Sequence, residues 1–115
     1  MKLWIDDMRP APEGYIWAKS VDDAISTIMN CEYMIENSFR YAYKQLEMID
    51  YYTIELIDID HDAGNYACDG GDYIKLLDWL EETGRNYPIR IHSMNVVGVQ
   101  NMRTIIQRNG WTEVK

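Results

Sequence analysis

Ile54-Glu55-Leu56-Ile57-Asp58-Ile59-Asp60-His61-Asp62, residues 54 to 62, is an apolar run that breaks off into carboxylates and an imidazole. The run has the strand-like content of a buried sheet, and the polar cluster that ends it lies where an open parallel sheet places its ligands. Two further runs finish the same way: Leu3-Trp4-Ile5 enters Asp6-Asp7, and Ile89-Arg90-Ile91 enters His92-Ser93-Met94-Asn95. The only two histidines, His61 and His92, therefore both follow apolar runs. Side chains alternate along a strand, so Asp58 and Asp60 share one face and Ile57 and Ile59 the other, which predicts that Asp58 is partly buried.

The segments between these runs have helical length. Lys2 to Ile5 reads as a first strand, Asp6 to Gly14 as a loop enforced by Pro10, Pro12 and Gly14, and Tyr15 to Lys19 as a second strand. Ser20-Val21-Asp22-Asp23 resembles a capping box with the shorter acid, and Val21, Ala24, Ile25, Ile28 and Met29 predict a helix over about 21–30. Ile35, Phe39, Ala42, Leu46 and Ile49 then recur at helical spacing, which predicts an extra amphipathic helix at about 31–50 with a stripe facing the core or a partner. Asp72 is the expected N-cap and Gly84 the stop of a helix carrying Leu76, Leu77 and Leu80. Asn95 and Asn109-Gly110 bracket a last helix, and Trp111 to Val114 reads as an edge strand. Strands separated by such segments give an α/β class: a parallel sheet of four to five strands with right-handed crossovers, in three layers, α/β/α.

The 115 residues suit a single domain, 1–115. A formal charge of -8 argues against a bulk binder of nucleic acid or membrane, which needs a basic surface. A small phosphorylated ligand is compatible with that charge if a cation or a local arginine offsets the carboxylates. Cys31 and Cys68 lack metal-ligand spacing, no apolar run approaches the roughly 20 residues of a membrane span, and the start is not signal-like. The expectation is a cytoplasmic protein with reduced thiols.

Asp6, Asp7, Asp60 and Asp62 offer the hard oxygen ligands that Mg2+ or Mn2+ prefers, although aspartate-rich turns also form without any ion. A histidine titrates near neutrality, so His61 and His92 suit general acid and base roles in phosphate-ester cleavage, or one joins the metal shell. The structural alternative is that His61 caps a loop and His92 bonds a buried carbonyl. Ser93 has a hydroxyl suited to phosphate.

Together, Leu3-Trp4-Ile5-Asp6-Asp7-Met8-Arg9-Pro10, Asp60-His61-Asp62 and Ile91-His92-Ser93-Met94-Asn95 resemble the cyclic-phosphate-processing receiver-like domains, over nearly the whole chain. The resemblance implies a flavodoxin-like sheet in which Asp6, Asp7 and Asp60 hold Mg2+ beside a phosphoryl group. It places Ser93 at the phosphate-contacting hydroxyl and casts His61 and His92, with Asp60, as active-site residues. Arg9 then suits a bidentate clamp on the phosphate, and Asn95 a further substrate contact. Three departures from the family pattern stand out: Ala63 where a larger apolar residue is usual, Val96 where proline is usual, and the insert at 31–52. A lysine after a fifth strand, usual in signalling receivers, is not evident.

The activity implied is metal-dependent opening of a cyclic phosphate, either a 2',3'-cyclic end of RNA or a small cyclic nucleotide. The alternatives are a stand-alone switch in which Asp60 accepts a phosphoryl group, and a noncatalytic module that binds a cyclic nucleotide or a protein. The 31–52 segment is the expected surface for a homodimer or protein partner.

Overall fold

The strands of this fold are short, and the apolar runs that predicted them define them closely. In a computed structural model describing residues 1–115, β1 spans Lys2–Ile5, β2 Tyr15–Ala18, β3 Leu56–Ile59 and β4 Ile89–Ile91. All pair parallel in the order β2-β1-β3-β4, with Trp4 beside Trp17 and Asp58, and Asp58 beside Arg90. Helices α1 (Val21–Glu36), α2 (Gln45–Tyr52), α3 (Ile74–Glu82) and α4 (Val96–Asn109) complete an α/β, receiver-like fold. The expected fifth strand is reduced to one parallel bridge between Glu113 and Ile89.

Alternation divides the sheet. Leu3, Ile5, Ile57, Ile59 and Ile89 are fully buried in one apolar core with Ile28 of α1, Leu76, Leu77 and Leu80 of α3, and Met102 and Ile106 of α4. Those three helices adjoin one another, α1 against α3 and α3 against α4. The other face carries Trp4, Trp17 and Asp58, and both indoles donate into the β1–β2 connection, Trp4 Nε1 to the Arg9 carbonyl and Trp17 Nε1 to that of Asp6, each at 2.8 Å. A parallel connection ordinarily takes a helix of a dozen or more residues. Here residues 6–14 form a loop, so the layer on this face is a loop held by tryptophans.

Local signals fixed most helix ends. Ser20 accepts the amide of Asp23, Asn95 that of Gly98, and Gly110 closes α4 in the left-handed conformation. The capping box is half made: the Asp23 carboxylate accepts the amide of Lys19 instead of that of Ser20. Asp72 does not cap α3, which starts after Tyr73; its carboxylate accepts the amide of Ala63 and ties the loop after β3 to the helix.

The extra helix at 31–50 is present in a different form. α1 runs through Cys31 to Glu36, a 3-10 helix spans Ser38–Lys44, and α2 follows. Asn37 ends α1 with its side chain donating to the Tyr33 carbonyl, and Tyr41 leaves helical geometry at φ -118°, ψ 52°. This break ruins the predicted stripe: Phe39, Ala42 and Leu46 are exposed, and α2 buries no residue.

Candidate active site

The four parallel strands point their C-terminal ends the same way, and what leaves those ends converges. Asp6 and Asp7 follow β1, Asp60 and His61 follow β3, and His92 follows β4. Carboxylate oxygens of Asp6, Asp7 and Asp60 lie within 4.8 Å of one another. Asp62 is not brought into this cluster. Its side chain is 61% exposed and lies against His61, with Oδ1 2.7 Å from Nδ1.

Asp6 is buried and fully engaged. Its Oδ1 accepts the amides of Met8 and Arg9, and its Oδ2 faces Arg9 Nε and His92 Nε2, all four at 2.9 Å. Burial opposes its ionisation, but those two amides, His92 and the charge of Arg9 outweigh it and hold the carboxyl below its usual range. Asp60 accepts the His61 amide on Oδ1 and pairs with Arg9 Nη2 at 3.1 Å on Oδ2. The Arg9 fork thus turns inward onto two carboxylates, where a phosphate clamp was expected. Asp7 has room because of Gly64: at φ 55° this residue leaves open a space in which a Cβ would collide with Asp7 Oδ2.

The two histidines differ in kind. His92 is gripped on both edges, Nε2 by Asp6 and Nδ1 by Asp58 at 2.6 Å. Its ring stacks on Trp4, with centroids 3.8 Å apart and planes 5° apart. Carboxylates accept only, so this geometry draws a donor from each ring nitrogen or leaves a proton on a carboxyl. Asp58 has no exposed surface, and its other oxygen lies 3.4 Å from Arg90 Nη1. His61 has only Nδ1 engaged. The 2.7 Å approach of Asp62 takes Nδ1–H, while Asn95 Nδ2, 3.4 Å from the ring and 3.3 Å from Asp62 Oδ1, donates to the carboxylate. His61 Nε2 has no partner in the protein and is not among any buried, unsatisfied atoms. The ring is set against α4 at Gly98, where a Cβ would come within 2.5 Å of it.

Ser93 and Asn95 serve the local fold. Ser93 Oγ accepts the Asn95 amide at 3.1 Å, and Asn95 Oδ1 caps α4 through Gly98 at 2.9 Å. Asp58, Trp4, Gly64 and Gly98 are the site residues that sequence reasoning left out. The phase shared with Asp60 was the one available signal, and it reached only the burial of Asp58. The molecule's cavity, about 280 Å³ and lined by Met1, Ile16, Asp50, Tyr51 and Glu55, adjoins the strands' opposite ends.

The donor set fits a hard divalent cation. Three converging carboxylates offer oxygen ligands, Gly64 clears room for one of them, and the Arg9 guanidinium already lies between Asp6 and Asp60 as a positive charge. Nothing in the set offers the sulfur that a softer metal prefers.

A family model described as the cyclic-phosphate processing receiver domain matches residues 1–108. Comparisons with curated proteins and with solved structures found no match. The matched span holds all four strands and every residue of the candidate site.

Proposed function

This chain belongs to the cyclic-phosphate processing receiver domain family, and from that premise we propose that it is a metal-dependent phosphoesterase that opens a cyclic phosphate by adding water. The observation that carries the reading is His61: Nδ1 held by Asp62, Nε2 without a partner, and Asp60 of the carboxylate cluster immediately before it. That is the disposition of a general base whose tautomer is fixed by a neighbouring carboxylate.

Asp6, Asp7 and Asp60 would hold Mg2+ or Mn2+, which supplies positive charge against the phosphate oxygens when bound. His61 Nε2 takes a proton from the attacking water as its oxygen bonds to phosphorus. One ribose P–O bond breaks, and the freed oxygen is protonated from solvent. Arg9, released from Asp6 and Asp60, turns its fork to the phosphate. His92 orients Asp6, and Asp58 orients His92, as outer partners orient metal ligands elsewhere.

The test is incubation with 2',3'- and 3',5'-cyclic nucleotides and with cyclic-phosphate-ended RNA, with Mg2+, Mn2+ or a chelator. Chelator-sensitive ring opening that is lost in His61→Ala, with metal binding intact by calorimetry, is the expected result. No metal-dependent opening of any substrate overturns the proposal. A covalent phosphoaspartate at Asp60, formed without turnover, would instead make the protein a phosphoacceptor switch.

A further inference from the structure

Six consecutive residues of the 3-10 helix, Phe39-Arg40-Tyr41-Ala42-Tyr43-Lys44, are all exposed, and three of them are large aromatics. Tyr43 is 83% exposed and Phe39 62%. Burying a side chain of that size makes a favourable contribution. The fold leaves that contribution unmade at each ring.

The two cations beside the rings are also unusual. The chain has 11 lysines and arginines. Only Lys2, Lys19, Arg40 and Lys44 lack a carboxylate within salt-bridge distance, although 19 acids are available. Arg40 lies over the Phe39 ring at 5.9 Å and Lys44 over the Tyr43 ring at 5.6 Å. No acid occurs from Asn37 to Leu46 in a chain of formal charge -8. Between the flanking Glu36 and Glu47 the strip is thus a local aromatic surface that carries two cations and no acid, and at physiological salt charges more than about 8 Å away are largely screened from it.

Exposed rings alternating with free cations suit a ligand that is both anionic and aromatic, as a single nucleic-acid strand is: rings stack on bases and cations meet phosphates. A membrane-binding segment would instead gather its apolar residues on one side and its cations on the other. We propose that Phe39, Arg40, Tyr41, Tyr43 and Lys44 form a docking strip for single-stranded RNA. RNA is chosen over DNA on the proposed function, because a 2',3'-cyclic phosphate needs a 2'-hydroxyl. The strip thereby names the substrate as an RNA end.

Position adds a length requirement. α1 starts just after β2, at the end of the sheet that carries the carboxylates, and leads away to the strip. Its 16 residues cover about 24 Å at 1.5 Å each. At about 3.4 Å per stacked nucleotide, roughly seven nucleotides separate a base on the strip from an end at the carboxylates.

The test uses fluorescence anisotropy of a labelled, unstructured RNA of about twelve nucleotides with a plain 3'-hydroxyl, in chelator. Binding is then read without any turnover, and its failure is separate from failure of the enzymatic proposal. Phe39→Ala with Tyr43→Ala should weaken binding about tenfold or more. Binding to the parent should weaken with salt at a log–log slope of about -1.4 for two phosphates, and Arg40→Ala with Lys44→Ala should bring that slope near zero. Because all four residues are exposed, the variants should melt with the parent. No binding, or binding unchanged in both double variants, overturns the proposal. So does sedimentation showing that the strip holds a dimer, or binding to anionic vesicles in place of RNA.

Discussion

His92 Nδ1 lies 2.6 Å from Oδ1 of Asp58, a carboxylate with no exposed surface. A buried carboxylate is tolerated only with partners, and Asp58 has His92 on one oxygen and Arg90 at 3.4 Å on the other. Removing His92 leaves that buried carboxyl group without its nearer partner. His92→Ala should therefore lower stability by about 3 kcal/mol, read as a shift of the urea midpoint. His61→Ala, which strands no buried charge, should cost less than about 1 kcal/mol.

The same asymmetry separates the two histidines in metal binding. Loss of an outer partner of a metal ligand typically weakens affinity by about 10–100-fold. Calorimetric titration with Mg2+ should show such a loss in His92→Ala and little change in His61→Ala. Trp4 Nε1 donates to the Arg9 carbonyl, so tryptophan fluorescence should report the displacement of Arg9 as the cation enters.

Gly98→Ala tests the seat of His61 without touching it. Alanine is the better helix former by up to about 1 kcal/mol, and Gly98 lies inside α4. The added Cβ would meet the His61 ring at 2.5 Å and push it from its place. The variant should fold with stability within about 1 kcal/mol of the parent yet lose ring-opening activity. Full activity would mean that the His61 position is not critical.

Gly64→Ala should harm both properties. Its φ of 55° disfavours a side chain by about 1–2 kcal/mol, and its Cβ would strike Asp7. Lower thermal stability together with weaker Mg2+ binding is the expected pair of readings.

A pH dependence of stability resides away from the site, at Glu32. Hydrogen bonds from Arg85 hold its carboxyl below the usual range against partial burial, with the Tyr87 hydroxyl adding to them. The folded state thus binds the proton less readily than the unfolded chain. Its contribution is present above the unfolded value of about 4.3 and disappears as pH falls through the lowered folded value. Glu32→Gln should be less stable than the parent at pH 7 by about 1–3 kcal/mol, and the two should converge near the acid end in urea titrations followed by circular dichroism.

Asp6, Asp7 and Asp60 could be read from the sequence because each ends an apolar run, and a parallel sheet gathers such ends whatever the detailed register. Asp58 could not. Its role needs Trp4 beside it on β1, Arg90 beside it on β4 and His92 folding back, and cross-strand pairing leaves no trace in local spacing. The 31–52 segment misled for the opposite reason. Its helical spacing is present, but Asn37 and Tyr41 break the axis, so residues in phase along the chain do not share a face. Gly64 and Gly98 carry no signal in the sequence, since what matters about them is the side chains they leave room for.

Connecting loops are normally where a fold absorbs insertions and deletions. The β1–β2 bridge is lopsided in this respect. Its first half, Asp6 to Arg9, returns the chain across the tryptophans and also carries two of the carboxylates and the arginine. The half from Pro10 onward is mostly exposed and carries no site residue. One extra residue between Asp7 and Arg9 would damage architecture and chemistry together, whereas one between Pro10 and Pro12 would spare both. Changes of length in this loop should be confined to its second half.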